Sequence, residues 1–132
     1  MTKMAMIHGD RWEGVLNLEW RVDRASSADL ERALEQLDAR IHTLVTIQHE
    51  GEQHLTIGGG AGQYVVYATI NNEQFWNLLR SQPAIGTIRL NAGGQEGNYP
   101  AEQIVTKEQA LAAGQAFLDA GRLDSSQKWQ KQ

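Results

Sequence analysis

The sequence predicts an α+β domain in which a single antiparallel sheet of about four to six strands is flanked by two main helices. Two segments carry apolar residues at helical spacing between recognisable helix caps. Several shorter segments alternate apolar and polar residues, as half-buried strands do. One sheet with two helices against it buries every apolar face that these segments present. A chain of 132 residues suits one such domain, which we expect to span residues 1–132.

The first half of the chain is predicted to form a strand, a helix and then a pair of strands. Residues 15–22 (VLNLEWRV) alternate apolar and polar side chains, which indicates a half-buried strand. Residues 28–40 repeat apolar side chains at helical spacing, and Ser26 or Ser27 can cap the start of this helix. Two strands are expected to follow, around a turn at 50–52.

The next part of the chain is predicted to add two strands and a short helix. Residues 63–70 and 86–94 are typical of strands, because they are rich in β-branched and aromatic side chains or alternate in polarity. Residues 71–83 favour a short helix over a strand, since their apolar residues have helical spacing. A loop is expected at 93–100 and a short edge strand at 101–105.

The last helix is predicted over about 107–120. Thr106 and Gln109 fit the capping box, and Gly121 fits the C-terminal cap. Gly114 lies within the apolar stripe of this helix, which indicates that the helix approaches the sheet closely. The polar tail that follows contains Trp129, which we expect to fold back onto the core.

Residues 58–62 (GGGAG) raise the question of a phosphate-binding loop. In a dinucleotide-binding fingerprint the third glycine would stand at position 63 or 65, but these residues are Gln63 and Val65. No glycine here precedes a lysine, and the element that follows is a predicted strand, so no helix N-terminus would face a phosphate. We interpret the segment as a glycine-rich turn or bulge whose bare edge lets another surface approach the backbone.

No combination of residues in the sequence indicates an enzyme, a metal site or a cofactor. The chain has no cysteine, which excludes thiol catalysis. His49 and His54 flank the predicted turn but lack a spaced third ligand, so we interpret them as solvated. The serines resemble helix caps or lie in the polar tail, and no G-x-S-x-G motif is present. We therefore expect no catalytic residue, no metal and no cofactor.

The overall charge and hydropathy restrict the classes of partner. A net charge of −4 and a pI of about 5.5 disfavour nucleic acid, whose binding proteins usually carry a basic face. The N-terminal residues lack the apolar run of a signal peptide, and no stretch of about 18 apolar residues is available to span a membrane. We expect a cytoplasmic protein that contacts no membrane.

Two parts of the chain contain acidic residues but no lysine or arginine. One lies between Arg40 and Arg80, and the other spans residues 91–106. Their carboxylates either form ordinary solvated surface or attract a basic protein and accelerate its capture. The acidic residues in these two parts are Glu50, Glu52, Glu73, Glu96 and Glu102.

Aromatic residues occur in the same two parts of the chain. If Phe75 faces the core of a helix, Trp76 points roughly 100° away from it. An exposed tryptophan beside carboxylates either anchors a partner or covers the edge of the sheet. Tyr99 lies within the predicted 93–100 loop.

An ordered set of motifs in the second half of the chain carries a family resemblance. The set comprises the glycine-rich edge Gly58–Gly62 before an apolar strand, Gly93-Gly94-Gln95 with Pro100, the capped helix after Val105 with Phe117, and Trp129. Over roughly residues 44–129 the chain resembles the first-numbered immunity-protein family of bacterial polymorphic toxin systems. The segment RLDSSQKW departs from the family pattern, because it lacks the proline that is often found before the tryptophan.

The resemblance implies an antidote rather than an enzyme. Such proteins bind a cognate toxin in the cell that makes it and cover its active site, and their toxins are often nucleic-acid deaminases. A deaminase presents a basic groove and a pocket for the extruded base, so carboxylates of an inhibitor can occupy phosphate positions. On this basis we expect a toxin-binding surface composed of Glu50, Glu52, Glu73, Trp76, Glu96 and Tyr99.

Two other hypotheses stay open on the sequence alone. A small-molecule or nucleotide-binding protein would use the Gly58–Gly62 edge, and its ligand would raise the stability of the folded chain. A self-assembling module would pair through an edge of the sheet. We expect the free protein to be a monomer, and a molecular mass that is independent of concentration would count against self-assembly.

Overall fold

The structure is a computed structural model that describes residues 5–49 and 51–132. Within these residues eleven strands form one seven-stranded and two two-stranded sheets, and every strand pair is antiparallel. The strands are β1 (Met6–Gly9), β2 (Trp12–Glu13), β3 (Leu16–Asn17), β4 (Trp20–Val22), β5 (Leu44–Gln48), β6 (His54–Gly60), β7 (Gln63–Thr69), β8 (Phe75–Leu78), β9 (Thr87–Ala92), β10 (Gln95–Pro100) and β11 (Trp129–Lys131). The α+β class is confirmed, but the expectation of a single sheet with four to six strands is wrong.

The seven-stranded sheet has the order β11-β8-β7-β6-β5-β1-β4. Its centre is the meander β5-β6-β7, which includes Gly51 and Glu52 of the predicted turn and the strand predicted at 63–70. β9 and β10 form one small sheet, and β2 and β3 form the other. Trp129 lies in the edge strand β11 and packs against the core, as expected.

Two helices, α1 (Ser27–Gln36) and α2 (Lys107–Ala120), pack against each other and against the seven-stranded sheet. Ser26 caps α1 as predicted, in a capping box with Asp29. The predicted capping box of Thr106 and Gln109 is present in α2, and Gly121 caps the end of α2 with φ +66°. Gly114 faces the core: a Cβ there would lie 3.4 Å from side-chain atoms of Ile47 and Ile57, which is ordinary contact, and 3.2 Å from Leu30 of α1. Neither helix is long and apolar enough to cross a membrane, as far as the described residues show.

The first helix ends at Gln36 rather than at the predicted residue 40. The Oδ1 atom of Asp38 accepts hydrogen bonds from the backbone N–H groups of Arg40, Ile41 and His42 at 2.9–3.0 Å. This side-chain-capped turn competes with the helical hydrogen bonds, and it ends a helix that apolar spacing alone would extend.

The strand predicted at 15–22 is interrupted. Gly14, with φ +61°, and Val15 form the turn between β2 and β3, and the Val15 side chain is 98% exposed. Only Trp20–Val22 joins the large sheet, as its edge strand β4. The alternating residues 15–22 therefore include one strand of a small exposed hairpin, and their alternation does not correspond to a buried face.

The short helix predicted within 71–83 is a strand instead. Asn71 Oδ1 accepts hydrogen bonds from the backbone N–H groups of Glu73 and Gln74, and the Thr69 hydroxyl donates to the Gln74 carbonyl at 2.7 Å. This tight turn returns the chain antiparallel to β7, so Phe75–Leu78 pairs as β8. Pairing with β7 and β11 overrides the helical spacing of the apolar residues.

The loop predicted at 93–100 and the edge strand predicted at 101–105 are also corrected. Gly93 and Gly94 have φ of +72° and +81°, a conformation that favours a two-residue hairpin turn, and the residues after them pair with β9 as β10. Residues 101–103 form a turn of 3-10 helix. Val105 alone bridges to Tyr64.

The glycine segment forms a tight turn, and another part of the molecule packs closely against its backbone, as predicted. Ala61 and Gly62 form the turn, both with positive φ, while Gly58, Gly59 and Gly60 end β6 and are buried. A Cβ at Gly60 would lie 2.5–2.6 Å from backbone atoms of residues 37–39. The surface that approaches this bare backbone is therefore the chain itself.

A buried carboxylate ties the start of β5 to the tip of the β9–β10 hairpin. Asp10 is 4% exposed and accepts from the backbone N–H groups of Thr43 and Leu44, the Thr43 hydroxyl and the Trp12 indole N–H. The Thr43 hydroxyl oxygen accepts in turn from the Gly94 N–H at 2.9 Å. Because a buried charge is tolerated only when it is hydrogen-bonded, this cluster fixes the hairpin against the sheet.

We predict that Gly60→Ala lowers the free energy of unfolding by about 3 kcal/mol or more, since the new Cβ meets backbone that cannot rotate away and φ is +142°. Gly62→Ala is the matched control, because its φ is also positive but nothing lies within 4 Å of the Cβ. Chemical denaturation measures both, and equal losses would contradict the close approach.

Asp38 gives the structure a predictable acid sensitivity. Partial desolvation raises the pKa of Asp38, but its hydrogen bonds to three backbone N–H groups and the nearby His42 outweigh it and hold the pKa below its ordinary value. A depressed pKa contributes stability above the unfolded-state pKa of about 4, and this stability is lost as the pH falls through the folded-state value. We expect wild type to lose more stability than Asp38→Asn between about pH 5 and pH 2. Parallel pH curves in denaturation experiments would contradict this.

Candidate functional site

The strand register assigns the side chains of the large sheet to two faces. Ile47, Leu55 and Ala68 stand opposite one another on adjacent strands and belong to the helix-side core. Because side chains alternate along a strand, the neighbours of these residues point to the opposite side. We call that opposite side the open face.

The β9–β10 hairpin covers half of the open face. Ala92 of β9 packs over Gly58, where a Cβ would approach it to 2.6 Å. Beside this contact a second small core forms from Val65, Leu90 and Ile104. As far as the described residues show, the second core does not extend to the half of the open face nearer to the turns after β5 and β7.

Three aromatic side chains meet on the uncovered half of the open face. His54, Tyr67 and Phe75 come from β6, β7 and β8, and their ring centroids lie 6.3–6.5 Å apart in tilted or edge-on geometry. All three side chains are half-buried. We call this trio, together with its neighbours Thr46 and Thr56, the open window.

The two threonines form the polar floor of the open window. Thr46 and Thr56 are paired across β5 and β6, and their hydroxyl oxygens lie 3.1 Å apart. Tyr67 stands opposite Thr56 on the next strand. Both hydroxyls are buried and satisfy each other, so the floor supports the rings without exposing an unpaired polar group.

The border of the open window is acidic. Glu52 and Glu73 are exposed in the turns after β5 and β7, and those turns lie side by side because His54 and Thr69 are paired. Residues 41–79, which include β5 to β8, contain no lysine or arginine. Glu50 belongs to the same predicted turn but lies outside the described residues.

Trp76 lies on the other side of the sheet from the open window. It stands opposite Ala68 on β7 and Lys131 on β11, which places it on the helix side, and it is half-buried. Because side chains alternate along β8, Trp76 faces the helix side and Phe75 points away, which is the reverse of the arrangement considered for a helix. Phe75 is the ring on the open face.

Glu96 and Tyr99 lie on the β9–β10 hairpin, away from Glu52 and Glu73. The hairpin packs near Gly58, and His54 lies at the other end of β6, about 13 Å along the strand at roughly 3.3 Å per residue. Glu96 forms an ion pair with Arg89 at 3.0 Å. Residues 91–106 contain no lysine or arginine, but the paired strand β9 brings this arginine next to the carboxylate. Tyr99 packs against the second core.

The remaining candidates for chemistry have structural roles. His49 is 5% exposed, and a ring nitrogen of it is hydrogen-bonded to the Phe117 carbonyl, so the prediction that it is solvated is wrong. Within residues 5–49 and 51–132 no group of three metal-ligating side chains comes together. The Gly58–Gly60 backbone is covered by the chain itself, which leaves no space there for a ligand.

The open window cannot be predicted as a unit from the sequence, although the sequence contains one signal for it. Alternation in QYVVYAT places Tyr67 on the face opposite the core residues Val66 and Ala68, and this can be read from the sequence. The contributions of His54 and Phe75 require the register of three strands. Because β8 was expected to be helical, that register was inaccessible.

Comparison with known proteins gives one relevant finding. The sequence matches the family model described as immunity protein Imm1 over residues 19–131, which includes both helices and every strand of the open window. No match was found among curated proteins or among solved structures.

Proposed function

Because the chain belongs to the Imm1 family of immunity proteins, we propose that it neutralises its cognate toxin by docking the open window onto the toxin's active site or substrate groove. The open window is the single observation that carries this proposal: three half-buried rings lie uncovered on a rigid sheet, bordered by carboxylates. Aromatic residues at a desolvated centre supply most of the affinity of protein interfaces.

The chemistry of the open window favours a basic partner. Tyr67 and Phe75 can accept a lysine or arginine side chain over their faces. Glu52 and Glu73 accelerate the encounter with a cationic surface. Since β5 to β8 contain no cation, a basic partner meets no like charge across the centre of the sheet.

A nucleic-acid deaminase fits these requirements as the cognate toxin. Such an enzyme needs a basic groove for the phosphate backbone and a pocket for the extruded base. Carboxylates on the border of the open window would occupy phosphate positions while the sheet covers the pocket. In this proposal the protein performs no chemistry, and it acts in the cytoplasm as a monomer until it meets the toxin.

The sequence also predicts toxin contacts at Glu96 and Tyr99 on the hairpin and at Trp76 on the helix side. We keep Glu96 and Tyr99 as a second, peripheral part of the proposed surface, since the hairpin borders the open face. Trp76 and its neighbour Phe75 point to opposite faces of the sheet. Substituting each of them therefore tests which face contacts the toxin.

We predict that Phe75→Ala raises the dissociation rate of the toxin complex by about tenfold or more, as loss of a central aromatic anchor does. Trp76→Ala is the matched control, since it removes an adjacent, similarly half-buried ring from the opposite face and is expected to change the rate by less than about threefold. Surface plasmon resonance with the purified toxin measures both rates, after thermal unfolding shows that each variant is folded. A larger effect of Trp76→Ala would place the toxin on the helix side.

We predict that Glu52→Lys combined with Glu73→Lys lowers the association rate by about tenfold in low salt and much less in high salt, since these carboxylates act through long-range steering. Glu31→Lys with Glu35→Lys makes the same change in net charge on exposed positions of α1. Stopped-flow measurements at two ionic strengths compare the pairs. Equal effects of the two pairs would show that net charge, and not the border of the open window, directs the toxin.

A further inference from the structure

A cleft between α1 and the edge strand β4 is not used by the proposed function. It has a volume of about 540 Å³, which lies within the range of about 300–1,000 Å³ that is typical of small-molecule sites. Trp20 on β4 and Arg32 on α1 line it from two sides, and Arg11 and His42 line it from the segments that flank β1 and β5.

The lining of this cleft is cationic, although the whole chain is acidic. Among the described residues of the lining, Arg11, Arg21 and Arg32 are cationic and Asp29 is the one carboxylate. The register of Arg21 with His8 and Thr46 turns its side chain toward the open face, which leaves Arg11 and Arg32 as the cations of the cleft. The Arg21 guanidinium is already paired with Asp23, and both side chains are largely exposed. Arg11 makes no ion pair with any of the described residues, so its guanidinium is available to a ligand.

The Asp29 carboxylate forms part of the N-terminal cap of α1. Its carboxylate accepts hydrogen bonds from the backbone N–H and the hydroxyl of Ser26 at 2.8 and 3.0 Å, and these bonds lower the pKa of Asp29 below its ordinary value. It also contacts a single guanidinium nitrogen of Arg32. The guanidinium carries five N–H donors in all, which leaves Arg32 with donors for a second acceptor.

His42 presents its other ring nitrogen for further bonding. Its Nδ1 atom lies 3.0 Å from the Asp10 carbonyl oxygen. A carbonyl oxygen can only accept, so Nδ1 carries a proton. The Nε2 atom is therefore the ring nitrogen left for a ligand in the cleft.

We propose that this cleft binds a small molecule that carries a phosphate monoester. Guanidinium groups from two separate segments match the several acceptor oxygens of a phosphate. A phosphate carries a charge of about −1.5 to −2 near pH 7, so it interacts more strongly with the arginines of the cleft than a singly charged carboxylate ligand would. The volume exceeds that of a bare ion, and the Trp20 indole offers a flat apolar wall for the organic part.

This site is separate from the open window. β4 is one edge of the large sheet, and the nearest strand of the open window, β5, lies two strands away, a separation of about 10 Å at roughly 4.8 Å per strand. The cleft also lies beside α1, whereas the open window faces away from the helices. Ligand and toxin can therefore bind to the same molecule, and the proposal does not depend on the identity of the toxin.

The test titrates the full chain with inorganic phosphate, adenosine 5′-monophosphate, adenosine and acetate at constant ionic strength. NMR follows the backbone amides, the Trp20 indole N–H and the arginine side-chain N–H groups. We expect saturable shifts at Arg11, Arg32 and Trp20 with both phosphate-bearing probes, and none with adenosine or acetate.

Two variants with the same change in charge complete the test. Arg11→Gln with Arg32→Gln is expected to weaken binding of the monophosphate by at least about tenfold. Arg80→Gln with Arg89→Gln removes two exposed arginines from outside the cleft and is expected to leave binding within about twofold.

Three results would overturn the proposal. NMR shifts that do not saturate with phosphate concentration would show a nonspecific effect of ions instead of binding at a site. An equal response to acetate would show that the cleft binds anions in general and does not select phosphate. An equal loss of binding in the Arg80 and Arg89 variant would show that the phosphate responds to net charge.

Discussion

The bare backbone at the end of β6 is the constraint on which the arrangement of the molecule depends. A side chain at Gly58 would collide with Ala92 of the β9–β10 hairpin, and one at Gly60 with the backbone of residues 37–39. Glycine therefore allows two segments to close over the same end of the sheet from different directions. One of them covers half of the open face and so decides which half is left for a partner.

The polar cluster around Asp10 holds that hairpin in place. The carboxylate is buried, and its bonds to Thr43 and Leu44 connect the end of β1 to the start of β5, while the Thr43 hydroxyl reaches Gly94. Removing one partner from a buried, hydrogen-bonded charge costs more than the bond itself contributes. The hairpin is thus held by packing over glycine and by a network that tolerates little change, and the open window has a rigid boundary.

The magnitudes of the two interactions at the open window indicate separate roles for them. A dissociation constant near 1 nM corresponds to about −12 kcal/mol, whereas an exposed ion pair contributes only about 0–1 kcal/mol. Glu52 and Glu73 can therefore speed the encounter but cannot supply tight binding. In the proposed complex, burial of His54, Tyr67 and Phe75 is the larger of the two contributions to affinity, because a sheet presents these rings with little loss of side-chain entropy.

Elements with local signals could be predicted from the sequence: the helix caps, Gly121, the glycine turn and the central strands. The family could be recognised from the same kind of local motif. The sequence could not determine the end of α1, because the turn around Asp38 competes with a spacing that still looks helical. Nor could it show that residues 75–78 pair as a strand, since pairing depends on β7 and β11. That one decision by the tertiary structure exchanged Phe75 with Trp76 between the two faces. The open window exists only because three strands with a fixed register place side chains distant in sequence next to one another.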